Sequence, residues 1–418
     1  MRWKDCGRGI EKLNIEHRTS NAQHRMKQQT FIKHSISIRF LGSSFLGKIP
    51  LSELDPETII PLARPGTGKI SGFPLATYFQ AIKQVIEKRD YEALLGALRT
   101  RLGRQVILPE IKEILIFSEK HGSDYHPARV EVCLSDQVIP LVMNVALTDR
   151  GRLVLANEFK VLNQLNRKQA WPYLPQAYLW DEAEVASAQD RKLSLPMYLA
   201  EWLEGFYEFH LSQDSAAGIQ KLVLWDSACP DHHYLPGRVA DKIYSKIAYI
   251  LTGYYDLQTF AQIHPWHLAA GDFIARIEGD RVEVRLVAAR QYGPLIGPAD
   301  LPWEEALLFF LLNLSVRIRL DRLDGVGEVA WAEEECLSPA LGGFFLALEE
   351  KAEQIEFTED FPQRFRQFLR SLSMEDLEER LAALVGAYDP AAPDLPIIQE
   401  HLDRHLEAVF AQRLFNKR

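Results

Sequence analysis

The chain has 418 residues, enough for two or three domains, and its 47% hydrophobic and 25% charged residues are those of a folded globular protein. A formal net charge of −9 and a pI near 5.8 give no general attraction to polyanions, so nucleic acid is not an expected partner. Cys6, Cys133, Cys229 and Cys336 form no C-x-x-C pair, and no apolar run reaches the roughly 18 residues that span a bilayer. These features predict a cytoplasmic protein with reduced thiols and no membrane partner.

The first 34 residues are basic and polar without apolar periodicity, which predicts a disordered arm, with an acidic protein partner as the other reading. Residues 35–108 read as a small lead-in of strand plus helices. Leu75, Tyr78, Phe79, Ile82, Val85 and Ile86 repeat at helical spacing, and Tyr91, Leu94, Leu95 and Leu98 begin a second helix. RPGTGKIS (Arg64–Ser71) is not a phosphate loop, because Ala63 and Ile70 stand where that motif needs Gly and Ser or Thr.

The period then changes. Ile114–Leu134 reads as strand, polar turn, strand, and Val138–Leu147 as a third strand. A helix follows the turn Asp149-Arg150-Gly151, with Leu153, Leu155, Phe159, Leu162 and Leu165 on one face and Glu158 within it. Pro196–Gly205 is a further strand ending in an acidic-Gly turn, closing a small β-rich lobe over residues 109–205. Residues 206–418 read as mostly helical. Helices are predicted at Val239–Tyr255, Trp303–Leu320, Ala340–Ile355, Phe365–Leu372, Met374–Ala387 and Ile397–Phe415. A loop and hairpin occupies 264–292, with strands Asp272–Ile277 and Val282–Ala288.

LAEWLEG (Leu199–Gly205) and HPWHLAAGDFIA (His264–Ala275) resemble the hinge strand and the H-G-D-x-H-x-x-N-hydrophobic loop of aminoglycoside phosphotransferase-like kinases, a likeness extending over about residues 110–345. The resemblance implies an α+β, protein-kinase-like two-lobed fold, with ATP and Mg²⁺ as cofactors. His264 matches the opening His. Asp272 falls near the metal-binding Asn, with one extra residue between them, which implies a metal ligand. His267 is the candidate base, because Trp266 stands in the place of the catalytic Asp. Glu158 is placed as the helix partner of the phosphate-binding Lys, but Asn144 holds that Lys position. Ala288 and Ala289 stand where a second metal-binding Asp is expected.

Charge for a nucleotide would then come from the turn residues Lys120, His121 and Gly122, from Arg129, or from Arg290 after the second hairpin strand, with Glu201 at the hinge. The reading is a nucleotide-binding kinase-like protein with very weak or no phosphotransfer. The alternatives are an active small-molecule phosphotransferase and a metal-dependent hydrolase using His232, His233, His264 and His267. CPDHH (Cys229–His233) lacks the second ligand pair of a structural zinc site.

Overall fold

Two apolar periods along the chain become two lobes in the computed structural model, which describes residues 36–42, 55, 57–61, 70–119, 125–168, 171–186, 192–225, 233–295, 301–325, 327–354 and 360–415. The chain begins with strands β1 (Ser37–Leu41), β2 (Ile59–Pro61) and β3 (Ile70–Pro74) and helix α1 (Leu75–Leu102). Next come β4 (Ile111–Ser118), β5 (Tyr125–Leu134), β6 (Val138–Ala146), α2 (Asp149–Lys168), β7 (Ala177–Ala186) and β8 (Lys192–Glu201). Six of these strands form one sheet in the order β1-β4-β5-β6-β8-β7, antiparallel throughout except for the β1–β4 pair.

Period-2 alternation on β5 decides which face does what. Ala128, Val130 and Val132 are fully buried, whereas Tyr125, Pro127, Arg129 and Cys133 on the other face are half-buried. The first face lies beneath α1, where the Tyr78 hydroxyl donates to the His126 carbonyl at 3.3 Å and Phe79 stacks on Phe40 at 5.0 Å. The second face looks toward α2. The lead-in is therefore part of this lobe: β1 extends its sheet and α1 covers its back. The second helix expected from Tyr91 is present as a break inside α1, where Arg89, Asp90 and Tyr91 have positive φ. Leu153, expected on the inner face of α2, is instead exposed.

After the hinge the structure departs from the helical expectation. Strands β9 (Tyr207–Asp214), β10 (Ile219–Leu224) and β11 (His233–Tyr234) precede helix α3 (Gly237–Tyr254) and strand β12 (Gln262–His264). The hairpin strands β13 (Phe273–Glu278) and β14 (Arg281–Leu286) join them in a second sheet, ordered β11-β10-β9-β13-β14. The β9–β10 turn is local chemistry: Asp214 accepts from the backbone of Ala216 and Ala217, and Gly218 takes φ +69°.

The rest is helical apart from short strands. It comprises β15 (Gln291–Gly293), α4 (Trp303–Arg317), β16 (Leu320–Arg322), β17 (Val329–Trp331), α5 (Leu337–Gln354), α6 (Phe361–Ser371), α7 (Met374–Gly386) and α8 (Leu395–Phe415). Helix α4, apolar all round, is the buried centre, as LLFFLLNLSV requires. No helix among the described residues is long and apolar enough to cross a membrane.

Candidate functional site

The loop between β12 and β13 is built on its own backbone. Gly271 at φ +67° ends a short helical turn, and the Asp272 carboxylate accepts the His267 N–H at 2.9 Å. Trp266, in the place of a catalytic carboxylate, is a core residue, 3% exposed and edge-on to Phe273 at 5.8 Å. Arg290 follows the buried Ala288 and Ala289 and forks onto Asp272, Nη1 to Oδ2 at 2.6 Å and Nη2 to Oδ1 at 2.7 Å. Asn157 of α2 donates to the Arg290 carbonyl at 2.6 Å, tying the small lobe to the same segment.

Glu158 lies one residue further along α2 and is fully buried. Neither of its oxygens meets a donor in strict hydrogen-bond geometry among the described residues, although the Tyr125 hydroxyl and the Ala289 N–H are near enough to act on its charge. Burial raises its carboxyl to about 7, against the lowering pull of Arg290 and Tyr125. Burial first, then the Glu158 charge, also raises the hydroxyls of Tyr125 and Tyr198, so both remain protonated. Asn144 sits opposite Tyr198 in the sheet and acts on its hydroxyl. The polar partners of Glu158 are thus two phenols and an arginine, in place of a strand lysine. Tyr125 and Tyr198 were not singled out in the sequence; the period-2 register places Tyr125 on the Arg129 face, and that was the available signal.

The hinge end carries a second cluster. Arg129 pairs with Glu131 at 2.7 Å and Glu204 at 3.7 Å, and its guanidinium carbon lies 5.4 Å from the Trp202 ring and 5.9 Å from the Phe117 ring. Arg129 therefore serves the hinge and not the Glu158 end. The Glu201 side chain is on the opposite face of β8, where it pairs with Arg101 of α1 at 3.0 Å. Its carboxylate therefore faces α1 and not the cleft. Lys120, His121 and Gly122 lie outside the described residues, as does His232. Burial lowers the pKa of both His264 and His267, Asp272 opposing the shift at His267, so both imidazoles are neutral at neutral pH.

A magnesium ion does not fit this donor set. It demands oxygen ligands in near-octahedral array, yet both oxygens of Asp272 are engaged by Arg290, and one also accepts the His267 amide. No group of three or more His, Cys, Asp or Glu able to hold a metal occurs among the described residues.

The loop is braced from below. The Glu208 carboxylate rests against Gly271, and His210, 2% exposed, bonds Asp321 at 3.1 Å through Nδ1 and approaches Glu208 at 3.5 Å through Nε2. Burial alone would lower the His210 pKa, but hydrogen bonds with Asp321 and Glu208 outweigh it and raise it to about 9. Because the folded value exceeds the unfolded one, this contribution is fully present below the ordinary histidine pKa and is lost as pH rises through about 9. Asp321→Asn is expected to cost about 2 kcal/mol at pH 6 and clearly less at pH 9.5, read by urea unfolding; an equal cost at both values would mean that His210 is uncharged.

Five strands ordered β4-β5-β6-β8-β7, a carboxylate-bearing helix between β6 and β7 along the chain, a hinge, and a loop-hairpin under the cleft define a protein-kinase-like fold. No protein-family profile and no curated protein matches the chain. Among solved structures it is similar to the Legionella pneumophila effector kinase LegK7. In complex with human MOB1A, LegK7 is 14% identical with a TM-score of 0.27, over 79% of this chain and 61% of that one. LegK7 alone is 14% identical with a TM-score of 0.22, over 79% and 68%. At those scores the likeness says nothing of activity or partner, and the fold assignment stands on strand order.

Proposed function

We propose that this kinase-like protein binds a nucleotide in the cleft between its lobes without metal-dependent phosphoryl transfer, in the manner of a pseudokinase. The observation that carries this reading is the two-pronged Arg290–Asp272 pair. A protein cation fills the position that a metal would take beside the nucleotide phosphates, and it is held by the carboxylate that would otherwise coordinate that metal. Phosphoryl transfer is mostly positioning and charge neutralisation, and losing one such contact commonly costs about 3–4 kcal/mol of barrier. Here Trp266, Asn144 and Ala288–Ala289 replace three charged groups at once. The His264–Asp272 loop supports placing the chain near the aminoglycoside phosphotransferase-like branch of this fold.

The test is calorimetric titration of the full chain with ADP, with and without Mg²⁺, beside an assay of ATP consumption. The expected result is binding that Mg²⁺ leaves unchanged and turnover equal to the protein-free control. Mg²⁺-dependent turnover abolished by Asp272→Ala would overturn the proposal and favour an active phosphotransferase.

A further inference from the structure

The hinge cluster has more in it than a surface ion pair. Register lines up Phe117, Arg129, Val142 and Ala200 as one cross-strand row on the cleft-facing side of the sheet, ending two residues before Trp202. Val142 and Ala200 are slim, and the row they share with Arg129 runs toward the hinge. The Arg129 guanidinium stands beside this row, with the Trp202 and Phe117 rings within 6 Å. A guanidinium is planar and stacks on aromatic faces as a heterocycle does. The geometry points to a flat slot over Val142 and Ala200 against the hinge, with Arg129 as its internal occupant, so that the cleft admits a flat aromatic ligand only when this side chain swings out.

Two further observations fit a displaceable occupant. Arg129 Nε is buried with no hydrogen-bond partner among the described residues, so the side chain is incompletely satisfied where it lies. Of its two carboxylate partners, Glu204 at 3.7 Å is 68% exposed and holds weakly, whereas the pair with Glu131 at 2.7 Å is the contact that opening must break. A ring entering the slot would recover both aromatic contacts, while Arg129 is long enough to reach solvent. The inference rests on the cleft being the ligand site, as proposed above, and adds a ligand class and a gate.

Adenosine is the probe, because it is flat and carries no phosphate, and ADP without Mg²⁺ runs beside it. If the slot is open about one-tenth of the time, removing the occupant tightens apparent affinity about 10-fold. The full chain with Arg129→Ala is expected to bind adenosine tighter by that factor, and Arg129→Gln by less. Trp202→Ala added to either should cancel the gain. Adenosine affinity unchanged or weakened in Arg129→Ala overturns the proposal; weakening would mean that the arginine stacks on the ring instead of excluding it. If Arg129→Ala does not fold by circular dichroism, Arg129→Gln decides by the same criterion. A gain for adenosine with no added affinity from the phosphates of ADP would leave the gate standing and remove the nucleotide reading.

Discussion

Arg290→Ala is expected to lower folding stability by about 3–5 kcal/mol, the usual cost of leaving one member of a buried ion pair without its partner. Asp272 is 1% exposed and cannot turn to water, and Glu158, fully buried, loses the opposing charge that most lowers its pKa. Two carboxylates would then face each other with no cation between them. The loss should be electrostatic, since the Asn157 bond goes to the Arg290 backbone and survives the change. Adding Asp272→Asn should therefore recover much of the stability, because an amide oxygen still accepts the His267 N–H and carries no charge. Arg290→Lys should fall between, a point charge lacking the fork that reaches both oxygens. Urea midpoints of the two single variants and the double variant form the cycle that isolates the pair. A cost below about 1 kcal/mol, or no recovery in the double variant, would show Arg290 to be an ordinary exposed charge.

What the sequence revealed and what it hid have separate causes. Strand β5 was legible by its alternation, β4 and β6 as short apolar runs buried on both faces, and the later helices by 3.6-residue spacing or, in α4, by an unbroken apolar stretch. Strand β7 was missed: AYLWDEAEVA mixes acids with apolar residues, as befits the edge strand of the sheet. The β9–β10 hairpin was missed because Glu208, His210 and Asp214 sit in it for polar networks with Gly271, Asp321 and Lys221, so its pattern follows hydrogen bonding instead of burial. At the site, Asp272 and Arg290 were each legible by position along the chain. Their pairing was not, because contacts 18 residues apart across a hairpin depend on register and side-chain reach. The facing of the Glu201 side chain was hidden for a related reason. One step along a strand reverses the face, and the acidic residue closing β8 falls on the α1 side.

Glu158 gives the clearest pH signature. Asp272 takes both prongs of Arg290, so the second carboxylate is left with partial contacts, and burial raises its pKa to about 7. The folded value lies above the unfolded 4.5, so the folded state holds the proton more tightly. Below the lower value both states are protonated and the group has no effect. Between the two values the unfolded chain releases its proton first, and stability falls as pH rises. Above about 7 the penalty is complete and constant. The gap corresponds to about 3 kcal/mol. Glu158→Gln cannot titrate, so its stability relative to the parent should rise by about that amount between pH 4.5 and pH 8, read by urea unfolding of both proteins across the range. Whatever the amide costs in packing is present at every pH and cancels from this difference. Parallel profiles would instead place the Glu158 carboxyl in its ordinary range, ionised beside Arg290, and the arginine would then be shared between two carboxylates. Such sharing would weaken its hold on Asp272 and leave that carboxylate freer to meet a metal.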